Sequence, residues 1–278
     1  MTAADASPAP APASAAQPAP AAVPSLTVRA RDAVACEWTK FRSVRSTFWT
    51  LLVAVVTPVG FSAIVAVAIS NQPAGAAPVD PLLPGFASLE YAVLAVSVLG
   101  VLGFSTEYST GLIRTTFAAM PRRRVVLAAK AAVLGTVTLV AGELVAFASF
   151  FLAQAILSGH HLGLSLSTPG VAGAVLAEGL LLFVVAMLGL ALGAIVRHTA
   201  GGIAAVVGLI FLPAIAGLPA APWGGRVGRF TLLEAAHQVT ALHPAANLFS
   251  PALSLLVLLA WPAAALGLAA LLITRRDA

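Results

Sequence analysis

The chain has 278 residues, of which 60% are hydrophobic and only 9% are charged, with a mean hydropathy of +0.99. Soluble domains carry about 45–50% apolar and about 25% charged residues, so a water-soluble fold is excluded and an all-α polytopic membrane protein is expected. The net charge of +5 does not point to nucleic acid, because most lysines and arginines flank apolar runs, where they orient a membrane chain.

Residues 1–27 form an Ala/Pro-rich tail whose only charged side chain before Arg29 is Asp5. It lacks the basic n-region of a signal peptide, and its prolines interrupt the apolar residues, so a disordered tail is expected. The remainder, 28–278, reads as one transmembrane domain. Its first segment, 28–45, places Val34, Trp38 and Phe41 at i, i+4 and i+7, one face of a helix. Arg31, Glu37, Lys40, Arg42 and Arg45 surround that stripe, as in an amphipathic helix lying in the membrane interface with Trp38 as anchor.

Six apolar runs then approach the roughly 20 residues a span requires: 47–70, 88–105, 125–157, 171–196, 200–217 and 251–273. The third is too long to lie wholly in a membrane, so its first turns, with Arg124 and Lys130, are expected at the interface. The fifth is short and carries Pro213. On this assignment all the lysines and arginines except Arg226 and Arg229 fall on one side, which predicts six spans with both termini in the cytoplasm.

The connection after the second run is unusual for its charge and its capped, short pattern: STEYSTGLIRTTFAAMPRRR, Ser105 to Arg124. Ser109 or Thr110 can cap a helix by accepting a free first-turn N–H. Pro121 disfavours helical geometry at Met120. About ten residues remain, too few for a stable isolated helix in water. Ile113, Phe117 and Met120 share one face. The run Arg122–Arg124 suits anionic lipid head groups.

Further along, Glu143 and Glu178 lie inside apolar runs, where ionisable groups are functional candidates by default. Gly142 and its small neighbours suit close helix packing around Glu143, and Glu178 lies near an external end. Gly189 and Gly193 make a G-x-x-x-G pair. His160 and His161 are adjacent and lack a third ligand, so no metal site is expected. One cysteine, Cys36, excludes an intramolecular disulfide. Over Val227–Leu242 a short external helix is expected, with Phe230, Leu233 and Val239 on its apolar side.

The pattern from Glu107 through Gly111, Pro121 and the arginines to Lys130 resembles the connection between the second and third spans of ABC-2 type transporter permeases. CEWTKFRSVRSTFWTLL, Cys36 to Leu52, is similar to the entry to the first span in actinobacterial members. One departure is Leu112, where many members carry Thr. The resemblance covers about residues 28–274. It implies a plasma-membrane permease subunit, an exporter, working as a homodimer or with a second permease and driven by an ATPase subunit in trans. It implies that the segment Glu107, Gly111, Ile113, Arg114, Phe117 and Met120 is a cytoplasmic coupling helix. Glu107 would fix its start and Gly111 would permit close approach. Ile113, Phe117 and Met120 would form the docking face or the face packed on the bundle, and Arg114 would pair with an acid. It further implies that short helices within 218–250 dip back toward the membrane and cap the exit.

No G-x-x-x-x-G-K-[ST] phosphate loop occurs, so this chain is expected to bind no nucleotide cofactor by that route and to catalyse nothing itself. The alternative is a gradient-driven transporter using Glu143 and Glu178 as a proton relay. A membrane enzyme would need a nucleophile or metal motif, and neither G-x-S-x-G nor HExxH occurs. Peptide antibiotics, drugs and lipids all stay open as substrates.

Overall fold

The computed structural model describes residues 26–73, 79–215, 227–245 and 248–275. Most of the expected N-terminal tail, and residues 218–226 of the long external segment, lie outside them. The described residues are helical and contain no strand. The helices are α1 (Leu26–Ser43), α2 (Arg45–Ser70), α3 (Leu83–Ser109), α4 (Leu112–Ala119), α5 (Arg123–Ser158), α6 (Val171–Val196), α7 (Thr199–Ile215), α8 (Leu232–Thr240) and α9 (Pro251–Arg275), with a 3₁₀ turn at Gly228–Phe230.

Among the described residues, five helices are long and apolar enough to cross a membrane: those at Phe48–Ser70, Tyr91–Ser109, Arg123–Ser158, Val171–Val196 and Pro251–Arg275. The expected fifth run forms α7, a shorter apolar helix of 17 residues with Pro213 inside it. At 1.5 Å per residue it spans about 25 Å, less than a hydrocarbon core of about 30 Å. Residues 216 and 217 of the expected run lie outside the described residues.

Helix α6 occupies the centre and packs on α3, α5, α7, α8 and α9. Its sequence has no polar face, as a helix buried on all sides requires: Val184, Val185, Ala186, Leu188, Leu190 and Ala191 are fully enclosed. Glycine brings its neighbours close. A β-carbon on Gly100, Gly189 or Gly193 would run into backbone atoms across the α3–α6 contact, and one on Gly142 would meet the Gly179 carbonyl across α5–α6. Both members of the G-x-x-x-G pair are thus at a helix contact. By contrast, α2 and α9 lie outside and expose Val53, Val56, Ile64, Leu256 and Leu268.

The corner between α6 and α7 is tight. Arg197 adopts the left-handed conformation with φ 58° and donates its N–H to Gly193. The imidazole Nδ1 of His198 then accepts the N–H of Gly201 at 3.2 Å, capping α7. At the end of the bundle away from α4, two buried amides hold the loops. Gln154 donates to the Pro81 carbonyl and accepts the Leu164 N–H, while Gln238 donates to the Ala245 and Phe249 carbonyls. Helix α8 falls within the expected short helix, but its buried side is Leu232, Ala235 and Ala236; Phe230 is exposed, and Leu233 and Val239 are half-buried.

Candidate functional site

The charged side chains that the fold brings together lie at the α4 end of the bundle. On α1, Val34 and Trp38 are exposed, Phe41 is half-buried, and the Trp38 and Phe41 rings are stacked with centroids 6.5 Å apart. The adjacent face, on the Phe41 side, carries Ala33 and, one turn on, Glu37; both are buried against the bundle. The sequence reading placed Glu37 and Lys40 among charges surrounding the apolar stripe. Glu37 instead turns inward, because α1 lies on α5 and Lys130 waits there.

Lys130 is 5% exposed. Its ammonium donates to Glu37 Oε2 at 2.7 Å and to Glu107 Oε1 at 2.6 Å, and lies 5.7 Å from the centroid of the Phe104 ring. Lys40 donates to Glu37 Oε1 and to Glu107 Oε1, both at 2.9 Å. Two carboxylates and two ammonium groups thus alternate in a closed, formally neutral quartet. Glu37 gives one oxygen to each lysine. Glu107 gives Oε1 to both, and its Oε2 is buried without a hydrogen-bond partner among the described residues. Burial works against the Lys40 ammonium, but the hydrogen bonds to Glu107 and Glu37 outweigh it and hold the group above the ordinary lysine range. The quartet ties α1, α3 and α5 together at one point.

Between Glu107 and Lys130 the chain turns out and back. Tyr108, Ser109 and Thr110 finish α3 rather than starting α4: the Ser109 and Thr110 hydroxyls both donate to the Thr106 carbonyl. The residue before α4 is Gly111, with φ 74° and no side-chain cap. Positive φ is why glycine is needed; a β-carbon there would meet nothing within 4 Å, so close approach within this chain is not its role. Helix α4 ends at Ala119, ahead of Pro121. Ile113 and Phe117 are buried and Met120 is half-buried, all on the main core. This face packs on the bundle. Leu112, Arg114, Thr115 and Ala118 point outward, and Arg114 has no ion-pair partner among the described residues.

The arginine run is divided. Arg122 and Arg124 are exposed. Arg123 donates to the Ile273 carbonyl at 3.0 Å, in the last turn of α9, and its guanidinium lies 5.1 Å over the Phe117 ring. A cation there suits the negative end of the α9 dipole. At the neighbouring corner, the Arg197 guanidinium lies 5.0 Å over the Tyr108 ring, and Ser105 and Thr199 share a hydroxyl hydrogen bond of 3.0 Å.

The two intramembrane acids of the sequence reading lie elsewhere, along α5 and α6. Glu143 is half-buried, with Oε2 unpartnered among the described residues. Its carboxyl occupies the space that a β-carbon on Gly179 would take. Glu178 is 4% exposed, enclosed within the bundle. His160 and His161 are exposed, and no cluster of three metal-ligating side chains occurs among the described residues.

Sequence reading missed Glu37, Lys40 and Lys130 as site members. Their signal was present: Glu37 lies one turn from Ala33, off the exposed stripe, and Lys130 is a charge seven residues inside a long apolar helix. No known family profile and no curated protein matches this chain.

Proposed function

We propose that the chain is the membrane subunit of an ABC-2 type transporter, an exporter whose ATP is hydrolysed by a separately encoded subunit. The observation that carries this reading is the pairing of Glu107 with Lys130 at 2.6 Å. These are the two ends of the segment that resembles the coupling connection. Their bond closes a hairpin whose tip is α4, with Leu112, Arg114, Thr115 and Ala118 outward. A short helix held at its base by a buried ion pair is a rigid lever. Force applied to its outer face passes to α3 and α5 through the pair, and to α1 through Glu37 and Lys40. In this reading six helices cross the membrane, α7 among them, both termini are cytoplasmic, α1 lies in the inner interface, and two permease chains form the pathway.

The docking face is then the outward side of α4, while Ile113, Phe117 and Met120 seat it on the bundle. The test is co-purification with the ATPase encoded in a neighbouring reading frame, recognisable by its phosphate-loop motif. Leu112→Asp and Gly111→Trp are expected to reduce ATPase recovery at least tenfold while the permease inserts normally. Full recovery and full ATP-dependent transport in both variants would return α4 to an ordinary loop. Transport that follows a pH gradient and ignores ATP would instead favour the relay through Glu143 and Glu178.

A further inference from the structure

A cleft of about 550 Å³ opens beside the quartet. That volume is within the range of small-molecule sites, about 300–1,000 Å³. One wall is charged, with Glu37, Lys40, Glu107 and Lys130; another is apolar, with Leu99, Leu102, Val133, Leu134 and Leu190, and Thr106 is among the hydroxyl side chains that line the remainder. We propose that this cleft binds a zwitterionic single-chain amphiphile, with a primary ammonium and a phosphate at the head and an acyl tail along the apolar wall.

Two observations choose the head group. Among the described residues, Glu107 Oε2 is a buried acceptor with no donor, and a buried group left unsatisfied bears the full cost of its desolvation. An N–H-bearing ammonium supplies the missing donor and the matching charge. Lys40 uses its ammonium on two carboxylate oxygens and keeps a side chain 40% exposed, so a third N–H remains for an anion. Because Lys40 already touches the Glu107 carboxylate at 2.9 Å, the two docking points are only a few ångströms apart. An ethanolamine phosphate has its ammonium and phosphate at such a spacing. The quartet is neutral, and a zwitterion leaves it neutral; a lone cation or anion would add net charge to a largely buried site.

The tail follows from the other wall. Gly103 lies on α3 among the apolar lining residues, exposed to the cleft. A β-carbon there would make only ordinary contacts with Leu190 and Leu134, so larger side chains at this position take up cleft volume before they disturb the helix contact. The proposal concerns binding alone and does not rest on coupling to an ATPase.

The experiment uses the full chain in maltoside micelles, titrated with lysophosphatidylethanolamine, lysophosphatidylcholine and lysophosphatidylglycerol of one chain length, and read by native mass spectrometry. The ethanolamine lipid is expected to bind at least tenfold more tightly than the other two. The choline lipid keeps the phosphate and positive charge but has no N–H, and the glycerol lipid has no cation. Gly103→Leu and Thr106→Trp, each with the wild-type melting temperature, are expected to lose that binding at least tenfold. Any other order of the three lipids, or full affinity in a cleft variant that keeps the wild-type melting temperature, overturns the proposal.

Discussion

Lys130 and Lys40 bond the same two carboxylates, yet their environments predict different consequences. Lys130 is enclosed, whereas the Lys40 side chain is 40% exposed. Removing one partner of a buried ion pair strands the others and costs about 3–5 kcal/mol; an exposed pair is worth about 0–1 kcal/mol. Lys130→Met is therefore expected to lower the thermal unfolding midpoint in detergent several times more than Lys40→Met, which keeps Lys130 in place. Equal shifts would mean that water reaches the whole quartet. Arg123 differs from its neighbours in the same way. Arg123→Ala loses a carbonyl hydrogen bond at the end of α9 and an aromatic contact to α4, and should lower that midpoint. Arg122→Ala and Arg124→Ala, both exposed, should not. The sequence showed three equivalent arginines; only packing distinguishes the middle one.

At the scale of elements, the α3–α6 contact is set by glycine. The direction of its effect is testable, because helix propensity and packing oppose each other. Alanine is preferred to glycine inside a helix by about 1 kcal/mol. At Gly208, where a β-carbon meets nothing within 4 Å, Gly208→Ala should be neutral or stabilising. At Gly189 the β-carbon would meet the Ser97 carbonyl and the backbone of Gly100 and Val101, which cannot rotate aside. Gly189→Ala should destabilise by about 1–3 kcal/mol, the usual cost of overpacking. Unfolding in detergent reads both signs, and a stabilising Gly189→Ala would refute the close contact. Helix periodicity and proline placement made these elements legible beforehand. The boundary of α4 was legible at Pro121 but not at its start, because the side chains of Ser109 and Thr110 serve the end of α3 and the left-handed turn belongs to Gly111.

For the whole molecule, the proposed sidedness has a built-in reporter. Cys36 is the chain's single cysteine and is exposed on α1. It is expected to react with a membrane-impermeant maleimide only after permeabilisation. In a Cys36→Ser background, Ser158→Cys should react in intact cells, since it ends α5 at the opposite end of the bundle. Arg275→Cys tests the same sidedness on α9. The last turn of α9 lies against Arg123 at the α4 end of the bundle, so it is expected to be shielded in intact cells, like Cys36. Labelling of Arg275→Cys from outside would contradict the proposed topology.

The composition and the length of the apolar runs determined by themselves that this chain folds as packed helices suited to a membrane, because backbone polar groups in hydrocarbon must be satisfied within each segment. Periodicity likewise determined that Val34 and Trp38 share an outward stripe and that Ile113 and Phe117 share a face. Local pattern could not say which partner that second face meets, since burial depends on what lies opposite; the fold turned it onto the bundle. Nor could it join Glu37 to Lys130, 93 positions apart, or show that Glu107 keeps one oxygen unsatisfied among the described residues. Those facts arise only where α1, α3 and α5 converge, because an ion pair is defined by a distance in space and the chain specifies it only through the packing of all three helices.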